Sequence, residues 1–387
     1  MRVVIASRTY VPEVNAAAFR LGALARALSG LRARVDVITA RPPRTVRGGP
    51  GTPGVKVRRW PVLRDKGGNV RGYIQYLSFD LPLAIRLFPR AFDVVVAEAP
   101  PTTGIVVAIV CALRRRPFVY YAADVWTDGV AAVGSPRWVV AAMRRVERAV
   151  LLRSSQILSV SAGVTERLVA IGARGDRITL VGHGIDTDIF SPTVDPVRAG
   201  APYFVYTGTM SEVHRPHTFL EAFGSLAAER EDVRLEFFGQ GVYESELREM
   251  AEALAPGRVE FHGVVPPTQV ARWIRGSVAA LVSLTPGIGY DYAHPTKAYA
   301  AAACGTPVLF AGAESFARLV NDADLGEAAP FDADSIADAM ARLLTAAESG
   351  ETERKRSDRA GWARQHVSLR AVGDMAASAV MAATRQP

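Results

Sequence analysis

The chain has 387 residues, 49% hydrophobic and 22% charged, enough to bury sizeable cores and too apolar for general disorder or a fibrous architecture. At roughly 150 residues per domain, this length points to two domains or one large one. The net charge of +8 hides a split: residues 1–200 carry 29 basic and 14 acidic side chains, and residues 201–387 carry 17 and 24.

Arg2–Ser7 (RVVIAS) reads as a first strand, followed by a loop with Pro12. A helix over Ala16–Leu31 comes next, with Phe19, Ala23, Leu24, Ala27 and Leu28 at helical spacing. Val35–Thr39 is the next strand, and this β–loop–α–β order predicts a parallel sheet with crossover helices. Residues 41–56, rich in Pro, Gly and Arg, read as a basic surface loop. Strands at Phe92–Ala97 and Pro117–Tyr121 flank a buried helix over Thr103–Leu113. A helix from Pro136 to Arg153 leads to short strands at Gln156–Val160 and Ile178–Val181, around a helix over Ala162–Ile171. The proline-rich stretch 191–202 lacks apolar periodicity and reads as a linker.

A second series opens at Tyr203 with the strand YFVYTG and a helix over Pro216–Ala228. Strands follow at Val233–Phe238, Val259–Gly263, Ala279–Leu284 and Pro307–Ala311. Helices alternate with them at Glu244–Ala255, Pro267–Arg275, Thr296–Cys304, Ser315–Asn321 and Ser335–Glu348. The last stretch, Thr352–Thr384, is helical with a break near Ser368 and no strand. The fold expected is α/β: two Rossmann-like αβα domains, residues 1–195 and 196–351, with the helical segment 352–387 returning to the first. Ligands are expected at the carboxyl ends of the strands, in a cleft between the two.

No signal-peptide pattern opens the chain, and the longest apolar stretch, Gly104–Leu113, falls well short of the roughly 20 residues that span a bilayer. A cytosolic protein is expected, with peripheral contact at the inner face of the plasma membrane left open. Cys111 and Cys304 read as inert core thiols, so neither a disulfide scaffold nor a cysteine metal site is supported.

Walker A, HExxH, GxSxG, EF-hand and well-placed GxGxxG patterns are missing, which removes the main support for nicotinamide chemistry. Gly239 and Gly241 follow a strand and either let a ligand approach backbone N–H groups or simply turn the chain. Thr207-Gly208-Thr209 ends another strand before a loop holding His214, Arg215 and His217, a place where an anion would bind. In Thr285–Pro307, Gly287 and Gly289 make a compact loop, and His294, Thr296 and Lys297 fall at the start of an Ala-rich helix. A lysine in a first turn opposes the helix dipole, which makes sense against a phosphate; an exposed lysine is the alternative. Asp124-Val-Trp-Thr-Asp128 follows the strand PFVYY, where its acids either serve a ligand or cap a helix. His183-Gly184-Ile185-Asp186 is a turn of the same kind before the linker.

These segments together resemble the GT-B glycosyltransferases of family 4. Val181–Pro192 (VGHGIDTDIFSP) is similar to the family's "NGVD…F.P" signature, and Thr207–Phe223 to its "G…G…A" opening of the nucleotide-sugar domain. Asp291–Pro307 resembles the "PSK…E…AxGxPV" segment of the subgroup acting in capsule, O-antigen and exopolysaccharide assembly. Asp124–Asp128 fits that subgroup's "D.WP" motif, and Pro12–Arg20 its acceptor-side loop. The order of motifs holds over nearly the whole chain.

The resemblance implies a retaining transfer of sugar from a nucleoside diphosphate donor on the second domain to an acceptor on the first. The acceptor classes are a saccharide, a polyprenyl-diphosphate-linked sugar or a small molecule; no nucleic acid is expected. No cofactor and no metal ligands are implied, because positive side chains and helix N–H groups neutralise the departing diphosphate. Asp124, Arg215 and Lys297 are then the catalytic candidates. Donor contacts fall to Gly208, Thr209, His214, Gly239 and Gly241, and to Gly289, Asp291, Tyr292, His294 and Thr296. Acceptor contacts fall to Glu13, Asn15, Arg20, Trp126, Asp128 and His183. The sequence departs from the family where Tyr292 and Ala300 replace the Glu-x7-Glu acids, with Asp291 a displaced substitute, and where His183 and Ala123 replace Asn and His. His214 rivals Arg215 for the cationic position. Two alternatives stand beside transfer: a GT-B-like sugar-nucleotide epimerase, and a non-catalytic sugar-nucleotide or nucleic-acid binding module. The latter is disfavoured because Arg41, Arg44 and Arg47 lack interleaved aromatics.

Overall fold

The computed structural model describes all residues except Val14, 44–51, 66–69, Arg71, Val133, Tyr290 and 385–387, and only the backbone of Tyr73 and Ala132. Arg44 and Arg47 of the expected basic loop therefore lie outside the described residues. The chain forms two units, Met1–Gly184 with Leu369–Pro387, and Ile185–Ser368.

The first unit is built on a seven-stranded sheet. Its strands are β1 (Arg2–Ala6), β2 (Arg34–Ala40), β3 (Val55–Trp60), β4 (Val94–Glu98), β5 (Phe118–Ala122), β6 (Gln156–Ser159) and β7 (Ile178–Leu180). They lie in the order β3-β2-β1-β4-β5-β6-β7, and every pairing is parallel. β4 and β5 are buried along their whole length, as expected of central strands covered on both faces. The covering helices are α1 (Ala16–Gly30), α2 (Tyr73–Leu87), α3 (Pro101–Leu113), α4 (Trp126–Ala132), α5 (Arg137–Arg153) and α6 (Ala162–Ile171). Asn15 starts α1 by accepting the Ala18 N–H at 2.8 Å, and Ser161 starts α6 by accepting that of Val164 at 3.1 Å. β3 and α2 were not expected. β3 sits at the sheet edge with three basic residues in six, and α2 is apolar on two opposite faces.

The second unit carries a six-stranded sheet of β8 (Tyr203–Thr207), β9 (Arg234–Phe238), β10 (Val259–Phe261), β11 (Ala280–Ser283), β12 (Val308–Ala311) and β13 (Gly326–Ala329). The order is β10-β9-β8-β11-β12-β13, again all parallel. Around it lie α7 (His217–Glu229), α8 (Glu244–Leu254), α9 (Pro267–Gly276), α10 (Thr296–Ala303), α11 (Glu314–Asp322), α12 (Ala333–Glu348), α13 (Glu351–Arg354) and α14 (Arg356–His366). One core layer centres on Phe204, Phe219, Phe223 and Phe237, the other on Phe310, Phe316 and the alanines of α10. The small α10 side chains let its backbone approach the sheet closely.

The division between units falls at Gly184, ahead of the expected residue 195, and the return begins at Leu369 rather than Thr352. α14 is held in the second unit because Arg356 and Arg359 donate to the carbonyls of Cys304 and Gly305, at 3.0 and 3.2 Å. The last helix, α15 (Leu369–Ala383), joins the first unit, where it packs on α1. That crossing is close: a Cβ on Gly373 would stand 2.8 Å from the Ala23 carbonyl oxygen. Both cysteines are buried and unpaired. Among the described residues no helix is long and apolar enough to cross a membrane.

Candidate functional site

In the second unit the loops after β8, β9 and β11 meet the start of α10. The β8 and β9 loops are joined by bonds from Gly208 N–H to the Phe238 carbonyl (2.8 Å) and from Met210 N–H to that of Gln240 (3.1 Å). Glycine is required at this seam. At Gly239, φ is +124° and a Cβ would fall 2.0 Å from the Gly208 oxygen; at Gly241 it would fall 2.0 Å from that of Met210.

Lys297 lies in the first turn of α10 and reaches back over this seam. Part of its side chain stays open to solvent. Its ammonium is crowded by protein, 4.7 Å from the Tyr206 ring centroid and 3.4 Å from the Tyr206 hydroxyl. A Cβ on Gly208 would stand 3.0 Å from this ammonium. No carboxylate pairs with it among the described residues, and burial pushes its pKa down to about 7. Beside it, burial and the Lys297 charge push the His214 pKa down to about 4. The neutral His214 ring therefore donates its Nδ1–H to the Ser283 carbonyl at 3.0 Å, leaving Nε2 as an acceptor. Arg215, its rival for the cationic position, is exposed at φ +36°.

The remaining donor candidates divide. Thr209 is exposed beside Gly208, and Thr296 opens α10, whose first N–H groups have no partner within the helix. Asp291 closes its own loop, accepting the Gly287 N–H at 2.8 Å, while its carbonyl accepts from Ser315 Oγ at 2.7 Å. Gly289, at φ +86°, and Tyr292 belong to that loop. His294 sits 2.8 Å from the Tyr299 hydroxyl and against Phe316, with its pKa lowered by burial, which is core packing. Ala300 is buried in the same cluster.

In the first unit the ends of β1, β4 and β5 gather a second constellation. Arg20 reaches Glu98 at 3.8 Å, and Ser7 Oγ donates to Glu98 at 3.1 Å. Burial pushes the Glu98 pKa up to about 7 against the pull of Arg20 and Arg8. The Arg8 guanidinium lies 3.8 Å above the Tyr76 ring, and Trp126 meets the same ring edge-on at 5.9 Å. Asp124 is exposed at the rim; crowding by neighbouring protein raises its pKa, and Arg20 opposes the rise. The cap that was the alternative role for Asp124 or Asp128 is made by buried Glu147 of α5, which accepts the Trp126 and Thr127 N–H groups at 2.9 Å each. Asp128 is held by Arg167 through two bonds of 2.8 and 2.7 Å. Asn15 caps α1 and donates to Thr9 at 2.8 Å, and Glu13 pairs with Arg64 at 3.7 Å. His183 follows β7 at the end of this unit's first segment.

Arg20, Asp124 and Trp126 thus come together with Arg8, Tyr76 and Glu98, three residues that no motif pointed to. The signal for Glu98 was a charge closing an apolar strand, whereas Arg8 lies in the loop beyond β1 with no signal of its own. A groove of about 510 Å³ in the second unit opens at Tyr203, the amino end of β8, away from the Lys297 seam. Glu236, Glu260 and His262 offer ligand atoms within 4.8 Å of one another. Glu236 is already engaged by His262 at 2.7 Å and Arg234 at 3.6 Å.

Two parallel-sheet units, each with its candidate loops at the carboxyl ends of the strands, define the GT-B architecture. Residues 18–189 match the family model described as Glycosyltransferase Family 4, and residues 201–346 the one described as Glycosyl transferases group 1. The chain belongs to the family 4 glycosyltransferases of GT-B fold. A D-inositol 3-phosphate glycosyltransferase of Paenarthrobacter aurescens is 26% identical over 227 residues, 54% of each chain. The chain spans about half the length of the curated relatives it matches. Anabaena HepE, solved with UDP and glucose, is similar in fold at a TM-score of 0.70 and 16% identity, covering 99% of this chain and 100% of that one. A Listeria monocytogenes UDP-N-acetylglucosamine 2-epimerase structure, itself described as unproven in function, superposes at 0.62 and 13% identity over 96% of this chain and 94% of that one.

Proposed function

We propose that the chain is a retaining, metal-independent glycosyltransferase that takes a sugar from a nucleoside diphosphate donor on the second unit to an acceptor on the first. The observation that carries this reading is the half-buried Lys297, its ammonium crowded by protein at a helix N-terminus with no carboxylate partner among the described residues. An isolated buried charge is costly, and a diphosphate would supply the missing counter-charge. Lys297, Arg215 and the first N–H groups of α10 then stabilise the leaving diphosphate as the bond from the anomeric carbon to phosphate oxygen breaks. The acceptor oxygen bonds to that carbon from the same face, and its proton passes to the departing phosphate oxygen. Asp124 orients the acceptor hydroxyl in this scheme, and neutral His214 accepts a hydrogen bond from the donor sugar.

The acceptor class that the first unit supports best is anionic. With the observed division it holds 30 basic and 12 acidic residues, net +18, while the second unit holds 16 and 26, net −10. A phosphorylated small molecule, an anionic saccharide and a polyprenyl-diphosphate-linked sugar share that chemistry, at a cytosolic site of action.

A thermal-shift panel of UDP, GDP, dTDP and their sugars tests the donor half. Stabilisation by one base series is expected, and stabilisation by none overturns the reading. With the matching sugar nucleotide, a transferase releases free nucleoside diphosphate only when acceptor is present. An epimerase would isomerise the sugar while it stays on the nucleotide, and that product would refute transfer. Anomeric configuration, read by NMR of the product, checks retention.

A further inference from the structure

Helix α2 has its charges on the inside. Phe79, Leu83 and Leu87 are fully buried beneath it, and so is Asp80, which accepts a 2.6 Å bond from Thr103. Arg86, its other charge, lies over the Trp60 ring at 4.3 Å. Among the described residues the outward face is apolar: Ile74 is 68% exposed, Leu77 51%, Leu81 62%, Ile85 78% and Phe88, just past the last turn, 48%. Their spacing of three and four residues makes one stripe, about 21 Å long at 1.5 Å per residue. Leu63, exposed too, is tied beside it by a bond from its N–H to Ser78. At the far end Arg114 donates to the Phe88 carbonyl, followed by exposed Arg115 and Arg116, with exposed Ile109 and Leu113 on the same helix α3.

We propose that this α2 face is a membrane-docking surface that lies flat in the headgroup region of an anionic bilayer, with the stripe in the acyl boundary and Arg114–Arg116 on the phosphates. An apolar stripe with no charge on it and arginines at its end matches an interfacial helix. The unit's net charge of +18 selects the partner: a negative lipid surface attracts it, whereas a second copy of the same face would bring two such charges together. The inference stands apart from the donor reading, because nucleotide binding by the second unit reports on that separately.

Flotation of the full chain with phosphatidylcholine/phosphatidylglycerol vesicles, against phosphatidylcholine alone, tests it. The protein is expected to float with the anionic vesicles, and added salt to weaken but not abolish binding. L81Q/I85Q is expected to bind at least about tenfold more weakly, because two exposed positions then bring amides instead of hydrocarbon to the acyl boundary. R115Q/R116Q is expected to lose the preference for anionic lipid. Since all four positions are exposed, thermal midpoint and nucleotide shift should match wild type, which keeps misfolding from imitating the effect. Wild type failing to float, or L81Q/I85Q floating as well as wild type, overturns the proposal. So does a dimer that L81Q/I85Q dissociates while vesicle binding is unchanged.

Discussion

The Lys297 ammonium sits above the ring of Tyr206, 4.7 Å from its centroid and 3.4 Å from its hydroxyl, so its electrostatic support comes from a tyrosine rather than an acid. A cation held this way is poised for a partner that arrives from outside. Lys297→Ala is expected to weaken nucleoside diphosphate affinity about tenfold or more, as for loss of a charge-assisted bond. Calorimetric titration of wild type and variant measures it; equal affinities would take Lys297 out of the site.

The same crowding gives a pH dependence. The Lys297 pKa drops from 10.5 to about 7, so in the free protein the charge fades as pH rises through 7. Diphosphate binding restores that charge and takes up a proton, so affinity should fall above pH 7, approaching tenfold per pH unit. Lys297→Arg should flatten the profile, while the nucleotide's own titration stays common to both proteins. Without ligand the sign for folding is opposite: between pH 7 and 10.5 the unfolded chain binds more protons, so this group's contribution to stability grows with pH.

Gly239 and Gly208 form the seam beneath Lys297, and the 2.0 Å approach leaves no room for a methyl group. Gly239→Ala is expected to cost at least about 2 kcal/mol of stability and to abolish nucleotide-induced thermal stabilisation. Denaturant melts and the shift panel read the two effects separately.

Glu98 titrates in the other direction. Its pKa rises from 4.5 to about 7, so the native state holds a proton that the unfolded state has released. Stability from this group is fully present below pH 4.5 and is lost as pH rises through 7. Glu98→Gln removes that slope: the difference in thermal midpoint between variant and wild type should shift in the variant's favour from about pH 5 to about pH 8. A difference that stays constant with pH would show that Glu98 is ionised throughout.

The N-terminus of α4 depends on an acid twenty residues downstream. Glu147→Ala leaves the Trp126 and Thr127 N–H groups unpaired and is expected to cost about 2–3 kcal/mol, measured by denaturant unfolding. Asp124→Ala, at the exposed rim, should leave stability nearly unchanged and lower transfer instead.

Lys297 and the Gly208–Gly239 seam were legible in the sequence because each breaks a local rule: a lysine in a first helical turn, and glycines where strands end. Asp128 was legible as a position but not as a role, since its partner Arg167 comes from a distant helix, whereas the Asn15 cap on Ala18 is local and lay within reach of the sequence. Glu98 and Arg8 were hidden because one lies a residue beyond the apolar run of its strand and the other in a loop whose only clear signal is a proline. α2 was hidden by its own composition: Phe79, Leu83 and Leu87 on one face and Leu77, Leu81 and Ile85 on the other spread apolar residues around the helix, and Pro82 lies inside it. β13 (GEAA) offers no β-branched residue and is a strand only because β12 pairs with it.

The return of α15 to α1 has a consequence for how the molecule is made. Residues 185–368 form a continuous unit that is complete as soon as it is synthesised, whereas the first unit waits for Leu369–Ala383 before α1 is covered at Ala23, where Gly373 packs. On the ribosome the order of completion is therefore inverted, with the second unit finished first and the first exposing an apolar helix face until the last turns emerge. A nascent chain stalled before residue 369 would present that face to chaperones, and one released after it would not.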